Sequence, residues 1–421
     1  MSDLAENPNR GRVVGLLIPE FPGQTHIFFL REIERLERMG VGCVLFSTRR
    51  PAKSIAVHAG TEKIAVKTHY LYPPGVGRLF SGVLSVLRAG PTKLCRFASA
   101  VGRAEGLGIK GRLRMAALAV AAYEVAAHAK ALGCRHLHIH SCGDSALIGV
   151  AAKRLFGLTY SVTLHGPLED YGPGQPTKWR DADFAIVITR RIREQVETTL
   201  GGDRPEAIYL APMGVDLEKW RRDEPYAPWA GDGDLRITSC GRLHESKGHH
   251  TLIDAVKRLR DRGIPAVADI YGAENVDLGY RPRLESQITS LGLRDAVRLH
   301  GAVDEETLLA AELESHVFVL ASRAEPLGVA IMEAMALEMP LVSTDAGGVP
   351  ELVCGGRHGL LVPPGDADAL AEAVAEIAQD AALAAGLGRA ARARVEAEFH
   401  SGRSAEAIVQ GFDELEERLS L

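Results

Sequence analysis

The chain has 421 residues, 46% hydrophobic, 24% charged and only 5% aromatic, the balance of a globular protein; disordered, collagenous and membrane-spanning chains are excluded. At about 150 residues per domain, this length predicts two domains rather than one core. The formal net charge of −5 is unevenly spread, since residues 1–215 hold 28 Lys and Arg against 18 Asp and Glu, leaving 21 against 36 for the rest.

Residues 1–12 are polar and of mixed charge, without the order of a secretory signal. VVGLLIP (13–19) reads as a strand, and the spacing of Ile27, Leu30, Ile33 and Leu36 predicts a helix over 25–39, followed by the strand VGCVLFS (41–47). The segment 78–114 carries eight basic residues and one acid, Glu105, among Leu79, Phe80, Val83, Leu84, Val86, Leu87, Leu94 and Phe97. It reads equally as an amphipathic surface for an anionic membrane or as a helix pair with a solvated basic face. No nucleic-acid module accompanies the charge. The longest apolar run near the middle, 115–123, is about half of what a helix needs to cross a bilayer.

HLHIHS (136–141), YSVTLH (160–165) and FAIVIT (184–189) each precede a helical stretch, so the order predicts a doubly wound parallel α/β sheet with its crevice at the carboxyl ends of the strands. A stretch rich in Pro, Trp, Gly and Asp predicts a linker over 216–234 between a first domain, 1–215, and a second, 235–395. In the second, LRITSCG, AVADIYG, AVRLHG, HVFVLAS, PLVSTDA and GLLVPPG predict six strands. The Ala-rich tail from 381 is helical, its last helix, 396–421, expected to pack back across the linker. Cys43, Cys95, Cys134, Cys142, Cys240 and Cys354 form no CxxC pair, which speaks against a disulfide framework or structural zinc and fits a reducing cytoplasm.

The chemistry concentrates in two segments of the second half. A strand over 317–322 runs into a loop with Glu325, and the helix after Pro326 carries Glu333 eight positions on. The amides of Leu327, Gly328 and Val329 would open that helix and offer an anion site, while Glu333 could accept from ribose hydroxyls; the plainer alternative is a helix cap and a solvated carboxylate. ITSCGRLHESKG (237–248) sets Arg242 and Lys247 around a turn at a strand's carboxyl end, where a bidentate guanidinium and a compact ammonium can converge on a pyrophosphate. In the first half, His136, His138 and His140 alternate along one strand and share a face. At about 7 Å from one to the next they are too stretched for one metal ion, and His140, nearest the strand end, is the one placed to reach the crevice. His165 ends a strand before Gly166 and Pro167, its ring either in the crevice or hydrogen-bonded in the core.

Gly241, Arg242, Lys247, Gly248, Glu325 and Glu333, with STDAGGVPELV (343–353) and GLLVPPGD (359–366), resemble the donor half of the GT4 family of retaining, GT-B fold glycosyltransferases over 235–395. The resemblance implies two Rossmann-like doubly wound domains facing each other across a cleft. It implies Arg242 and Lys247 on the donor diphosphate, Glu333 on the ribose, Glu325 with the amides of Leu327, Gly328 and Val329 on the transferred sugar, and backbone near Gly272 and Val303 on the base. The first half is similar, more loosely, to bacterial exopolysaccharide and colanic-acid-type glycosyltransferases. Gly23, Gln24, Thr25 and His26 occupy a stretch that often reads SETF, with Gly23 placed at the donor, Gln24 standing for the usual Glu and Met213 for the Asn of an NGVD turn. His165 matches the branch's strand-terminal histidine, which would meet the transferred sugar.

What the resemblance implies in sum is a metal-independent hexosyltransferase without a cofactor. It would use a UDP- or GDP-sugar donor, pass the acceptor's proton to a leaving phosphate oxygen, and act on a lipid-linked oligosaccharide or other glycan at the cytoplasmic membrane face. A nucleotide-sugar 2-epimerase, a phosphorylase or a non-catalytic sugar-nucleotide binder could be built on the same fold.

Overall fold

In the computed structural model the described residues are 11–23, 27–51, 61–274 and 278–420; Gln24, Thr25 and His26, and residues 1–10 of the polar lead, lie outside them. The chain divides into two compact units, Met1–Pro212 with Gly402–Leu421, and Met213–Ser401.

Among the described residues the first unit has seven strands: β1 (Val13–Ile18), β2 (Gly42–Arg49), β3 (His69–Tyr72), β4 (His136–Ile139), β5 (Thr159–Leu164), β6 (Ala185–Val187) and β7 (Ile208–Leu210). All pair in parallel, in the order β3-β2-β1-β4-β5-β6-β7. Helices cover both faces of such a sheet, so its strands read as apolar runs rather than alternations; Val14, Leu16, Leu17 and Ile18 of β1 are fully buried. The edge strands β3 (HYLY) and β7 (IYL) are too short to stand out in the sequence. The helix Ile27–Arg38 packs Phe29, Leu30, Ile33 and Leu36 inward and, against the usual pattern, also buries Glu32.

The basic segment becomes three helices, Val76–Leu87, Pro91–Gly102 and Ile109–Ala131. The first of them is not buried on its apolar face. Val76, Leu79, Phe80, Val83 and Leu87 lie 46% to 87% exposed, and Ile109 and Leu113 of the third are 80% and 67% exposed. Among the described residues no helix is long and apolar enough to cross a membrane.

The second unit holds β8 (Leu235–Cys240), β9 (Ala266–Tyr271), β10 (Val297–Gly301), β11 (Val317–Leu320), β12 (Leu341–Thr344) and β13 (Leu360–Val362), again parallel, in the order β10-β9-β8-β11-β12-β13. Its core joins Ile237, Ile270, Val319 and Val342 of the sheet to Leu252, Val256 and Leu259 of the helix His249–Asp261 and Leu370 and Val374 of the helix Ala367–Gln379.

The expected division of the chain needs correcting at both ends of the second unit. The chain enters that unit after Pro212 and leaves it after Ser401, so the stretch 216–234 is part of a folded body. Its aromatics bury themselves: Trp220 is fully buried, Tyr226 donates to the His316 carbonyl (2.7 Å), and Arg222 reaches the Leu313 carbonyl (3.1 Å). Gly214 (φ +69°) runs against the returning chain so closely that a Cβ there would lie 2.3 Å from the His400 oxygen. The Ala-rich tail is two helices, Ala381–Glu398 and Gly402–Ser420, and the second belongs to the first unit. There Arg12 pairs with its Asp413 and Glu416 (2.8 Å to the latter), and its Gly411 lies against the Phe184 ring.

Candidate active site

In each sheet the winding direction reverses in the middle, between β1 and β4 and between β8 and β11. Two adjacent strands there send their loops to opposite faces, leaving a crevice at their carboxyl ends. The sequence-expected residues of the second half come from the two loops at the β8/β11 reversal.

After β8 the chain turns through Gly241, Arg242 and a single 3-10 turn, Glu245–Lys247. After β11 it passes Ser322 and Glu325 into the helix Val329–Ala336. The structure brings Lys247 and Glu325 together, Nζ lying 2.5 Å from Oε2, with side chains 15% and 7% exposed. Ser322 donates to the same oxygen (3.2 Å). Backbone ties hold the loops to each other and to the next one: Arg323 N–H donates to the Ser246 carbonyl (2.7 Å) and Gly348 N–H to that of Glu325 (2.9 Å). Three glycines make this closeness possible. A Cβ on Gly248 (φ +66°) would sit 1.8 Å from the Ala321 oxygen, one on Gly272 1.9 Å from that of Gly241, and one on Gly347 (φ +60°) 2.0 Å from that of Glu325. Gly272 thus lets its own backbone approach that of Gly241. Val303, half-buried, follows the neighbouring strand β10.

Arg242 is exposed at the same turn. Gly328 (φ +102°) begins the helix, and the first intrahelical bond runs from Met332 to its carbonyl (3.2 Å). The amides of Gly328 and Val329, with that of Leu327 before them, therefore sit at the helix's positive end. Glu333 is buried in the second turn, 6% exposed, and shares its surroundings with Cys240 and Glu312.

Two residues there escaped the sequence reading. His249 is buried, and its Nε2 donates to the carbonyls of Gly241 (3.3 Å) and Arg242 (3.2 Å), pinning the turn; burial holds its pKa down at about 4. Glu312, on the helix Glu305–Leu313, is completely buried, and burial with the nearby Glu333 pushes its carboxyl well above the usual range. GHH after a lysine was the available signal for the first; for the second there was none, because helix and site meet only in the folded unit.

The first unit's candidates lie at its own carboxyl edge. Gly23 is buried in the loop after β1. His165, half-buried, follows β5 and packs near Phe28 and Phe29, with ring centroids at 5.6 and 5.4 Å. His136, His138 and His140 do share one face of β4, and the partners of the first two come from the neighbouring strand. The first two bond the hydroxyls of Thr159, Ser161 and Thr163 on β5, and His140 meets Glu32 and His165.

Residues 227–394 match the family model described as glycosyl transferases group 1, a span that takes in both site loops of the second unit. The amylovoran biosynthesis glycosyltransferase AmsK of Erwinia amylovora is 28% identical over 409 residues, 90% of this chain and 94% of the relative. The alpha-D-kanosaminyltransferase of Streptomyces kanamyceticus is 30% identical over 276 residues, 60% of this chain and 70% of the relative. Among solved structures, Anabaena Alr3699/HepE in complex with UDP and glucose aligns with a TM-score of 0.72 at 19% identity, over 96% of this chain and 99% of that one. At that identity the likeness speaks for the fold, two parallel-sheet α/β units of the GT-B class.

Proposed function

The chain belongs to the group 1 glycosyl transferases, and we propose that within that family it moves a hexosyl group from a UDP- or GDP-sugar to an acceptor hydroxyl, with retention at the anomeric carbon. The observation that carries this reading is the Lys247–Glu325 pair, held beside a helix N-terminus at the winding reversal of the second sheet. Cleavage of the donor puts charge on a diphosphate and leaves an oxocarbenium-like sugar. Lys247, Arg242 and the amides of Leu327, Gly328 and Val329 neutralise the first in a fixed, partly dry setting, where such groups lower a barrier most. Glu333 takes the ribose hydroxyls. Glu325, anchored by Lys247 and Ser322, orients the transferred sugar. With cationic side chains and amides for the diphosphate, the reaction proceeds without a divalent metal, and a leaving phosphate oxygen takes the acceptor's proton. UDP stands first among the nucleotides because Alr3699/HepE is bound to it.

Thermal stabilisation by UDP, GDP, ADP and their sugars tests the donor site, because a ligand of the native state raises its stability. One nucleotide should shift the transition, and Glu333→Ala and Arg242→Ala should abolish the shift; no shift with any of them would remove the transferase reading. Product analysis then separates transfer from 2-epimerisation or phosphorolysis, and the product's anomeric configuration tests retention.

The acceptor we propose is a lipid-linked oligosaccharide, reached from the cytoplasmic membrane face as in exopolysaccharide synthesis. Six of the twelve large hydrophobics exposed among the described residues, Leu79, Phe80, Val83, Leu87, Ile109 and Leu113, fall within the segment 78–114 that carries eight basic residues and one acid. Apolar side chains ringed by cations fit an anionic bilayer surface. Flotation with anionic vesicles should carry the protein and lose it with Phe80→Ser and Leu87→Ser. Recovery as a dimer instead would assign the face to self-association.

A further inference from the structure

The three histidines of the β4 face differ in what they touch, and the difference fixes where their protons lie. Thr159 donates its hydroxyl hydrogen to the Arg135 carbonyl (3.0 Å), so its oxygen accepts from His136 Nδ1 (2.8 Å). His136 Nε2 then accepts from Ser161 (2.7 Å), Ser161 accepts from His138 Nδ1 (2.7 Å), and His138 Nε2 accepts from Thr163 (2.8 Å). A hydroxyl has one hydrogen to give and a neutral imidazole one, so the first donor sets the whole series. The parallel register, His136 beside Thr159 and His138 beside Ser161, builds this ladder. Both rings are neutral, with burial holding each pKa well below the usual value.

His140 breaks the series. Its Nε2 lies 2.8 Å from Glu32 Oε1, with the two side chains 0% and 1% exposed, and its Nδ1 lies 3.3 Å from His165 Nε2. The carboxylate contact is close but not aligned as a regular hydrogen bond, so charge in a dry interior couples the two groups. The Ser404 hydroxyl of the last helix and the His138 ring also lie against the pair.

A net charge left inside a dry core is costly, while a balanced pair is tolerated. Two balanced arrangements differ only by one hydrogen passed along the His140–Glu32 contact: an ionised Glu32 beside an imidazolium, or a neutral carboxyl beside a neutral imidazole protonated at Nδ1. In both, His140 Nδ1 carries a hydrogen toward His165. Burial raises the Glu32 carboxyl, which narrows the gap between the two arrangements and leaves this hydrogen in place in either.

We propose that Glu32 and His140 are positioning residues that preset the tautomer of His165: His140 donates through Nδ1 to His165 Nε2, and His165 therefore carries its own hydrogen on Nδ1. At the carboxyl end of β5 that makes His165 a donor, suited to a sugar or phosphate oxygen and unsuited to removing a proton. The assignment deepens the transferase reading by excluding His165 as the base. It stands on first-unit side chains alone, and its test needs no substrate, so the two can fail separately.

The full chain labelled with ¹⁵N-histidine, with the His165 signals identified by their loss in His165→Gln, reports which ring nitrogen is protonated. In the wild type it should be Nδ1. In Glu32→Met/His140→Phe, which exchanges the buried pair for apolar groups of similar size, the hydrogen should move to Nε2. His140→Gln should do the same: its amide NH₂ turns to Glu32 and its oxygen faces His165, replacing a donor by an acceptor. An Nε2-protonated His165 in the wild type, or an Nδ1-protonated one in either folded variant, overturns the proposal.

Discussion

The two units follow one plan and make a site from it in opposite ways. Each is a parallel sheet whose winding reverses at its centre. In the second unit two short loops, 241–248 and 321–329, supply the charged groups, and glycines let backbone press on backbone to hold them. In the first unit residues 32, 140 and 165 come from three separate elements and are held by buried polar side chains, with a helix from the far end of the chain against them. Rigid placement can thus come from backbone contact, which requires particular residues at fixed local spacing, or from side-chain networks, which require only that distant elements meet.

The largest expected effect comes from deleting 402–421, which tests whether the first unit depends on its distant helix. Phe184 would lose the cover of Gly411, and the buried Ala405 and Ile408 would be lost with it. Trp179, the first unit's tryptophan, should then emit as in an unfolded chain, while Trp220 of the second remains buried, each read in a single-tryptophan variant. A native Trp179 signal would erase the distinction between the units.

Lys247→Ala comes next. Loss of a charge-stabilising donor typically costs about 10²- to 10³-fold in rate, and here it also strands the buried Glu325; initial transfer rates measure it. A drop of less than about tenfold would show that the second unit's loops are not where the chemistry is organised.

Acid should weaken both units, since each buries neutral imidazoles. His136 and His138 in the first and His249 in the second have folded pKa values below the unfolded one, near 6.5. The unfolded chain therefore takes up protons first as the pH falls, and stability present above about 6.5 is lost below it, by about 1.4 kcal/mol per such histidine per pH unit. Urea midpoints of Trp179 and Trp220 emission between pH 7 and 5 should fall together. A first unit indifferent to this range would contradict the hydroxyl ladder.

Smaller still is the contrast between two glycines. Gly248→Ala drives a methyl into a backbone oxygen and should cost about 1–3 kcal/mol, several degrees in melting temperature. Gly157→Ala in the first unit has the same positive φ (+77°) but open space around it, and should cost about 1 kcal/mol for the left-handed backbone alone. Arg12→Ala, which cuts partly exposed ion pairs, should cost less than about 1 kcal/mol. Thermal denaturation orders all three.

Much of the fold could be read from residue order because parallel strands buried on both faces leave apolar runs such as VVGLLI and VFVL. HYLY and IYL were missed because three or four residues at a sheet edge leave no run. The linker was misplaced because Pro and Gly signal irregular backbone, and irregular backbone here is packed, through Trp220 and Tyr226, into the second unit. Lys247 and Glu325 were legible as neighbours of the same crevice since both follow central strands. The alternation of Thr159, Ser161 and Thr163 also stood in the sequence, matching His136 and His138, but it acquires meaning only once β4 is known to lie beside β5. Glu32 gave no sign, being one charge on a helix whose other acids could all have faced water.

The return of the chain to its first unit sets an order on biosynthesis. Residues 402–420 leave the ribosome after the whole of the second unit, so Arg12 waits until then for Asp413 and Glu416, and Phe184 for Gly411. By then every residue of Met213–Ser401 has been made, and domains generally fold as units as they emerge. The half of the molecule that is translated first is therefore the last to mature, and during that interval its uncovered apolar face is what a chaperone would meet.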